Sequence, residues 1–178
     1  QSLAQFILSK IFKWKIKGEF PRELKKYIII VAPHTHWHDF TLGVCIKYAT
    51  AVPSNFIGKA SLFKKPFGFI FRALGGVPVQ RDKHNNLVAS TIDIFNSRDN
   101  FVIGLSPEGT RKNTEVWKHG FYHIAKGAKI PVVRVIFDFE KKLATILEPF
   151  DLTNDMDADL EELRSVYIGI KGKVPAYS

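Results

Sequence analysis

The chain has 178 residues, of which 46% are hydrophobic, enough for one domain with one substantial core. Its lone cysteine, Cys45, lies in the apolar stretch Leu42-Gly43-Val44-Cys45-Ile46, which excludes a disulfide framework or a cysteine metal knuckle and favours a cytoplasmic setting. The formal net charge of +9 points to anionic partners.

The basic charge is uneven. Residues 1–26 carry seven lysines and arginines against Glu19 and Glu23. Within that segment Leu3, Phe6, Ile7, Ile11 and Trp14 recur near helical spacing with lysines between them, so residues 1–20 read as a basic amphipathic helix, a candidate for lying on a membrane surface. The alternative is a surface helix packing its apolar stripe on the core. No apolar run approaches the ~18 residues of a membrane-spanning helix, and no signal-peptide core is present.

Residues 21–178 alternate between apolar, β-rich runs and stretches of helical periodicity. Tyr27 to Ala32 predicts a buried strand, Asp39 to Ala51 a helix, Asn55 to Lys59 a short strand, and Lys65 to Leu74 a helical segment opened by Pro66. Within that segment the run Phe67-Gly68-Phe69-Ile70-Phe71 is expected inside the core, a membrane contact being the alternative. Val77 to Gln80 predicts another strand, Asn85 to Ser97 a helix, Phe101 to Leu105 a strand, and Lys118 to Lys126 a helix ended by Gly127. Pro131 to Phe139 and Leu143 to Leu147 read as strands, and Asp155 to Ile170 as a last helix with an acidic first turn. Such alternation implies a single α/β domain, with helices flanking a largely parallel central sheet.

In parallel sheets ligands gather beyond the carboxyl ends of the strands. Three polar clusters follow strands here: His34 to Asp39, Gln80-Arg81-Asp82, and Ser106-Pro107-Glu108-Gly109-Thr110-Arg111. The first allows two chemistries. His34, His36 and His38 would share one face of an extended strand as zinc ligands, whereas His34 and Asp39 across a helix start would form a hydrogen-bonded acid/base pair. In that pair the carboxylate would fix the tautomer through Nδ1–H and leave Nε2 to accept a proton. Spacing alone does not choose between them, but Pro33 and Trp37-His38-Asp39 suit a strand-to-helix turn, on which the alternate-position face is lost, so no metal is expected. In the other two clusters Arg81 and Arg111 offer planar forks suited to phosphate.

In order and spacing the clusters carry a signature. The chain resembles the glycerolipid acyltransferases, the family of 1-acylglycerol-3-phosphate (lysophosphatidic acid) acyltransferases. His34-x4-Asp39 looks like the family's first motif, Gly75-Gly76-x4-Arg81 its second, Glu108-Gly109-Thr110-Arg111 its third, and Lys129-Ile130-Pro131-Val132-Val133 its fourth, while Lys59 matches a family basic position. Pro33, His36 and Arg134 depart from the residues usual at their places.

The resemblance implies acyl transfer without a covalent enzyme intermediate and without a cofactor. His34, paired with Asp39, would deprotonate an acceptor hydroxyl that attacks an acyl thioester, either acyl-CoA or acyl-carrier protein. Lys59, Arg81 and Arg111 would hold the acceptor's phosphate, with Glu108, Gly109 and Thr110 shaping that pocket. The acceptor would be a lysophospholipid such as 1-acylglycerol-3-phosphate, met by a peripheral protein on the cytoplasmic face of an anionic membrane. Two other readings are a metal-dependent hydrolase built on the three histidines and a non-enzymatic module that binds anionic lipid. Nucleic acid ranks last, because the arginines fall at strand ends and not along an aromatic-basic stripe.

Overall fold

The computed structural model describes residues 3–79, 84–111, 114 and 116–177. The first helix, α1, is α-helical over Leu3–Phe6 and continues as a π-helical stretch over Ile7–Ile11. It is much shorter than the amphipathic pattern suggests. Lys13 takes a left-handed φ of 58°, and Trp14 turns inward, its ring edge-on to Phe137 and Phe139 at 6.2 and 4.9 Å. Lys15–Lys17 then forms an edge strand, β1, paired with Leu143 to Thr145. Basic-apolar-basic alternation satisfies a strand as well as a helix, and here a distant partner strand decides.

The remaining elements follow the predicted order: β2 (Lys26–Ala32), α2 (His38–Thr50), β3 (Ser54–Lys59), a 3-10 turn (Ala60–Phe63), α3 (Gly68–Ala73), β4 (Gly76–Val79) and α4 (His84–Ser97). Then come β5 (Phe101–Leu105), α5 (Gly120–Ala128), β6 (Val132–Asp138), β7 (Leu143–Phe150), α6 (Met156–Ser165) and a 3-10 turn (Pro175–Tyr177). The strands form one sheet in the order β1-β7-β6-β2-β5-β3-β4, in which only the β6–β7 hairpin is antiparallel. It is one α/β domain with a mostly parallel sheet flanked by helices.

Helices cover both faces, which is why β2 and β6 are apolar runs without polar alternation. Tyr27 and Ile29 of β2 face a layer that includes Leu8 of α1 and Leu42, Ile46 and Ala49 of α2. Ile28, Ile30 and Ala32 face the other layer, with Phe95 of α4, Phe121 and Ile124 of α5, and Leu160 and Leu163 of α6. Burying each of these Leu, Ile and Phe side chains contributes about 1.5–3 kcal/mol.

Three expectations need correcting. Phe67, Phe69 and Ile70 are not in the core; they are exposed by 65%, 68% and 43%, because α3 is short and buries only Gly68, the inward aromatic being Phe63 of the preceding 3-10 turn. Gly127 does not end α5 but lies inside it, against Ile92 of α4, where a Cβ would collide with the Ile92 side chain; the helix is closed by Lys129 at φ 54°. The last helix stops at Ser165, since Gly169 takes φ +76° and Tyr167 turns toward the sheet, where its hydroxyl donates to the Ile30 carbonyl.

Candidate active site

β2 ends at Ala32 and α2 starts at His38, so a short loop carries the chain from strand to helix. Asp39, in the first turn of α2, organises it. Its Oδ2 accepts the Thr35 and His36 backbone N–H groups at 2.8 Å each and lies 3.0 Å from His34 Nδ1. An ionised carboxylate only accepts, so the His34 proton sits on Nδ1 and Nε2 keeps its lone pair. No described residue bonds Nε2. The Asp39 side chain is 2% exposed and that of His34 24%, an arrangement that buries the carboxylate and leaves the imidazole within reach of solvent. A negative charge in the first turn of a helix is also favoured by the helix dipole.

β5 lies beside β2 and parallel to it, with Leu105 opposite Ile30, so the loops after the two strands emerge side by side. The second loop therefore meets the first: Glu108 Oε2 accepts the His34 backbone N–H at 2.9 Å. Burial pushes the Glu108 carboxyl above the usual glutamate range, and the His34 N–H partly opposes that shift. Thus the Glu108 carboxylate braces the His34 backbone. The N–H groups of His34, Thr35 and His36 all donate to carboxylates, so none of the three is left to bind an oxyanion.

The rest of that loop folds around Gly109, which takes φ +62° beside the Lys118 side chain, while the Pro107 carbonyl accepts the Lys118 N–H at 2.8 Å. Thr110 is half-buried and Arg111 exposed. At the far side of the sheet Gly75 takes φ +92°, and a Cβ on Gly76 would stand 2.7 Å from the Phe71 carbonyl; the pair lets α3 turn directly into β4. Lys59 closes β3, its backbone in register with Val79. Arg81 lies outside the described residues.

The histidines do not converge on a metal. His36 Nδ1 accepts the His38 N–H at 3.2 Å and the two rings meet edge-on, 4.5 Å apart. Among the described residues no group of three His, Cys, Asp or Glu side chains is placed to hold a metal ion. The Asp155, Asp157 and Asp159 cluster is helix-capping and structural: Asp155 caps α6, and buried Asp159 accepts from the Tyr122 hydroxyl and from Thr153.

Residues of the C-terminal segment that touch this loop carried no signal in the sequence. Val174 N–H donates to Thr35 Oγ1 at 3.0 Å, a contact between positions 139 residues apart.

Comparison with known proteins gives two likenesses. A family model described as Acyltransferase matches residues 13–138. Among solved structures, the chain is similar to the crystal structure of the 1-acyl-sn-glycerophosphate (LPA) acyltransferase PlsC from Thermotoga maritima, with a TM-score of 0.64 and 18% identity, over 92% of this chain and 74% of that one. At that identity the likeness is one of fold. No curated protein matches the chain.

Proposed function

The chain belongs to the acyltransferase family, whose model spans most of it, and from that premise we propose that it moves a fatty acyl group from acyl-CoA or acyl-carrier protein to a hydroxyl of a lysophospholipid such as 1-acylglycerol-3-phosphate, in phospholipid biosynthesis. The observation that carries this reading is the His34–Asp39 pair, 3.0 Å apart, with Nε2 unengaged beyond the carboxyl end of the sheet. The solved relative of this fold is named for an acceptor of that kind.

The acceptor hydroxyl gives its proton to His34 Nε2 as its oxygen bonds to the thioester carbonyl carbon. Asp39 stabilises the imidazolium that forms. When the tetrahedral intermediate collapses, the C–S bond breaks and the sulfur leaves with the proton held by His34. Arg81 and Arg111, with Lys59, hold the acceptor phosphate by charge-assisted hydrogen bonds. Gly109 and Thr110 shape the loop that presents Arg111, and Glu108 holds that loop to the base. The reaction needs no cofactor.

Membrane seating belongs to the same proposal, as a peripheral, monotopic protein on the cytoplasmic face. No helix among the described residues is long and apolar enough to cross a membrane. Leu3, Phe6, Ile11 and Phe12 of the N-terminal segment are exposed beside Lys10 and Lys13, and Leu62, Phe67, Phe69 and Ile70 are exposed beside Lys64, Lys65 and Arg72. The second patch follows the carboxyl end of β3, the same sheet edge as His34. That suits an enzyme whose acceptor stays in a bilayer.

The test is to incubate the purified protein with a lysophosphatidic acid and an acyl thioester and to measure thiol release. Stoichiometric thiol and diacyl product are expected. A matched acceptor lacking phosphate should be used poorly by the wild type, and Arg111→Ala should narrow the difference, a charge-assisted hydrogen bond being worth about 1.5–3 kcal/mol. Equal use of both acceptors by the wild type would dismiss the phosphate clamp.

A further inference from the structure

Residues 139–177 lie beyond the stretch that the family model matches, yet part of them reaches the candidate site. After α6 the contacts that hold the chain include three that lead toward the site. The Tyr167 hydroxyl donates to the Ile30 carbonyl at 3.2 Å, and its ring packs edge-on to Trp117 at 5.5 Å, so it touches both β2 and the segment that closes the Glu108 loop. The Lys171 carbonyl accepts the Phe139 N–H at 3.0 Å, at the carboxyl end of β6. Val174 N–H then donates to Thr35 Oγ1 at 3.0 Å.

Thr35 is an unusual place for that last anchor. Its side chain is neither a cap nor a surface hydroxyl, being 3% exposed inside the loop that carries His34. Its own N–H donates to Asp39 Oδ2 at 2.8 Å, the oxygen that also stands 3.0 Å from His34 Nδ1. A line of contacts therefore runs from Val174 through Thr35 and Asp39 to the imidazole. Buried hydrogen bonds of this sort are stronger than those in water, and leaving one partner unpaired carries its full desolvation cost.

We infer that the C-terminal segment is a strap that sets the orientation of the His34–Asp39 pair, and that Thr35 is the positioning residue through which it acts. The inference rests on the reading of His34 as the base. It assigns no contact between Thr35 and either substrate. The strap adjusts how well Nε2 is aimed, and a misplacement of about 1 Å at a reacting group costs up to about 10²-fold in rate. Substrate binding, which falls on the arginines, is untouched.

The experiment compares Thr35→Val, Thr35→Ser and Val174→Pro in the full chain, with His34→Ala as the reference. Thr35→Val keeps the shape and removes the acceptor; Val174→Pro removes the donor. Each should lower kcat about tenfold with KM for both substrates within twofold, while Thr35→Ser stays within twofold of wild type. The double variant Thr35→Val/Val174→Pro should be no slower than either alone, since both remove one contact. Wild-type kcat in Thr35→Val, an equal loss in Thr35→Ser, a loss carried by KM, or additive losses in the double variant would each overturn the strap. If Thr35→Val does not fold, Val174→Pro decides by the same kcat criterion, because its site lies in the C-terminal segment. Near-normal turnover in His34→Ala would overturn the reading of the base itself, whereas an inactive His34→Ala beside a fully active Thr35→Val would overturn the strap alone.

Discussion

At the residue scale the site depends on two carboxylates doing different things. Asp39 faces the imidazole and accepts two backbone N–H groups, those of Thr35 and His36; Glu108 accepts the His34 backbone N–H. Replacing His34 with alanine should lower thiol release by about 10² to 10⁴, the usual worth of a positioned base, with the thermal midpoint little changed. A folded His34→Ala protein that turns over normally would sink the mechanism. Glu108 gives a second, independent prediction through pH. Its folded-state pKa is raised by burial, so its protonated form is the one the fold prefers. The stability tied to that proton is present below the ordinary glutamate pKa and is lost as pH rises through the raised value. Glu108→Gln keeps an acceptor for the His34 N–H and cannot ionise. The difference in stability, Gln variant minus wild type, should therefore grow as pH rises across that window and level off above it. A difference that stays flat from acid to neutral pH would show that Glu108 carries no such penalty.

At the element scale, β1 shows how a distant partner overrides a local pattern. Trp14 reads as the end of an amphipathic stripe, yet it is 7% exposed and wedged against two phenylalanines of the β6 end. That makes it a core residue. Trp14→Ala should cost roughly 3–5 kcal/mol, the range for deleting a buried aromatic side chain, and should be read from the denaturant midpoint at constant m-value. A loss below about 1 kcal/mol would mean that the edge strand is held by its backbone ladder alone. The opposite displacement occurs at α3, where a strongly apolar hexapeptide faces outward. Six helical residues have only one narrow inward face, which Gly68 occupies, packed on the backbone of Phe63 in the preceding 3-10 turn.

At the scale of the whole molecule, the basic charge and the exposed aromatic side chains combine into a prediction about surfaces. Each Lys or Arg near an anionic bilayer adds about 1 kcal/mol, and exposed charges more than about 8 Å apart are screened from one another at physiological salt. Cosedimentation with vesicles containing anionic lipid should therefore fall as salt rises. Phe67→Asp/Phe69→Asp should weaken it further without lowering the thermal midpoint, both side chains being mostly exposed. The same double variant should lose more activity on vesicle-borne acceptor than on a short-chain soluble one. Vesicle binding that ignores both salt and the double variant would remove this surface from the proposal.

The sequence by itself determined the order and kind of most elements, because β2, β5 and β6 are buried on both faces and must be apolar runs, while α4, α5 and α6 each keep one apolar stripe. It also determined that polar loops would follow those strands, and His34 to Asp39 is short enough for local spacing to bring an imidazole and a carboxylate together. Only the tertiary structure decided what depends on residues far apart in the chain. The β2–β5 register sets Glu108 on the His34 N–H across 74 positions, and the C-terminal segment sets Val174 on Thr35 across 139. The same holds for the ends of elements: Gly127 reads as a helix stop, yet the close approach of α4 makes it a helix interior, and Trp14 reads as a surface aromatic until β6 covers it. Periodicity records which face of an element is apolar. It does not record which neighbour covers that face, or which backbone N–H a carboxylate will find, since those are fixed by chain closure over distances that no local pattern encodes.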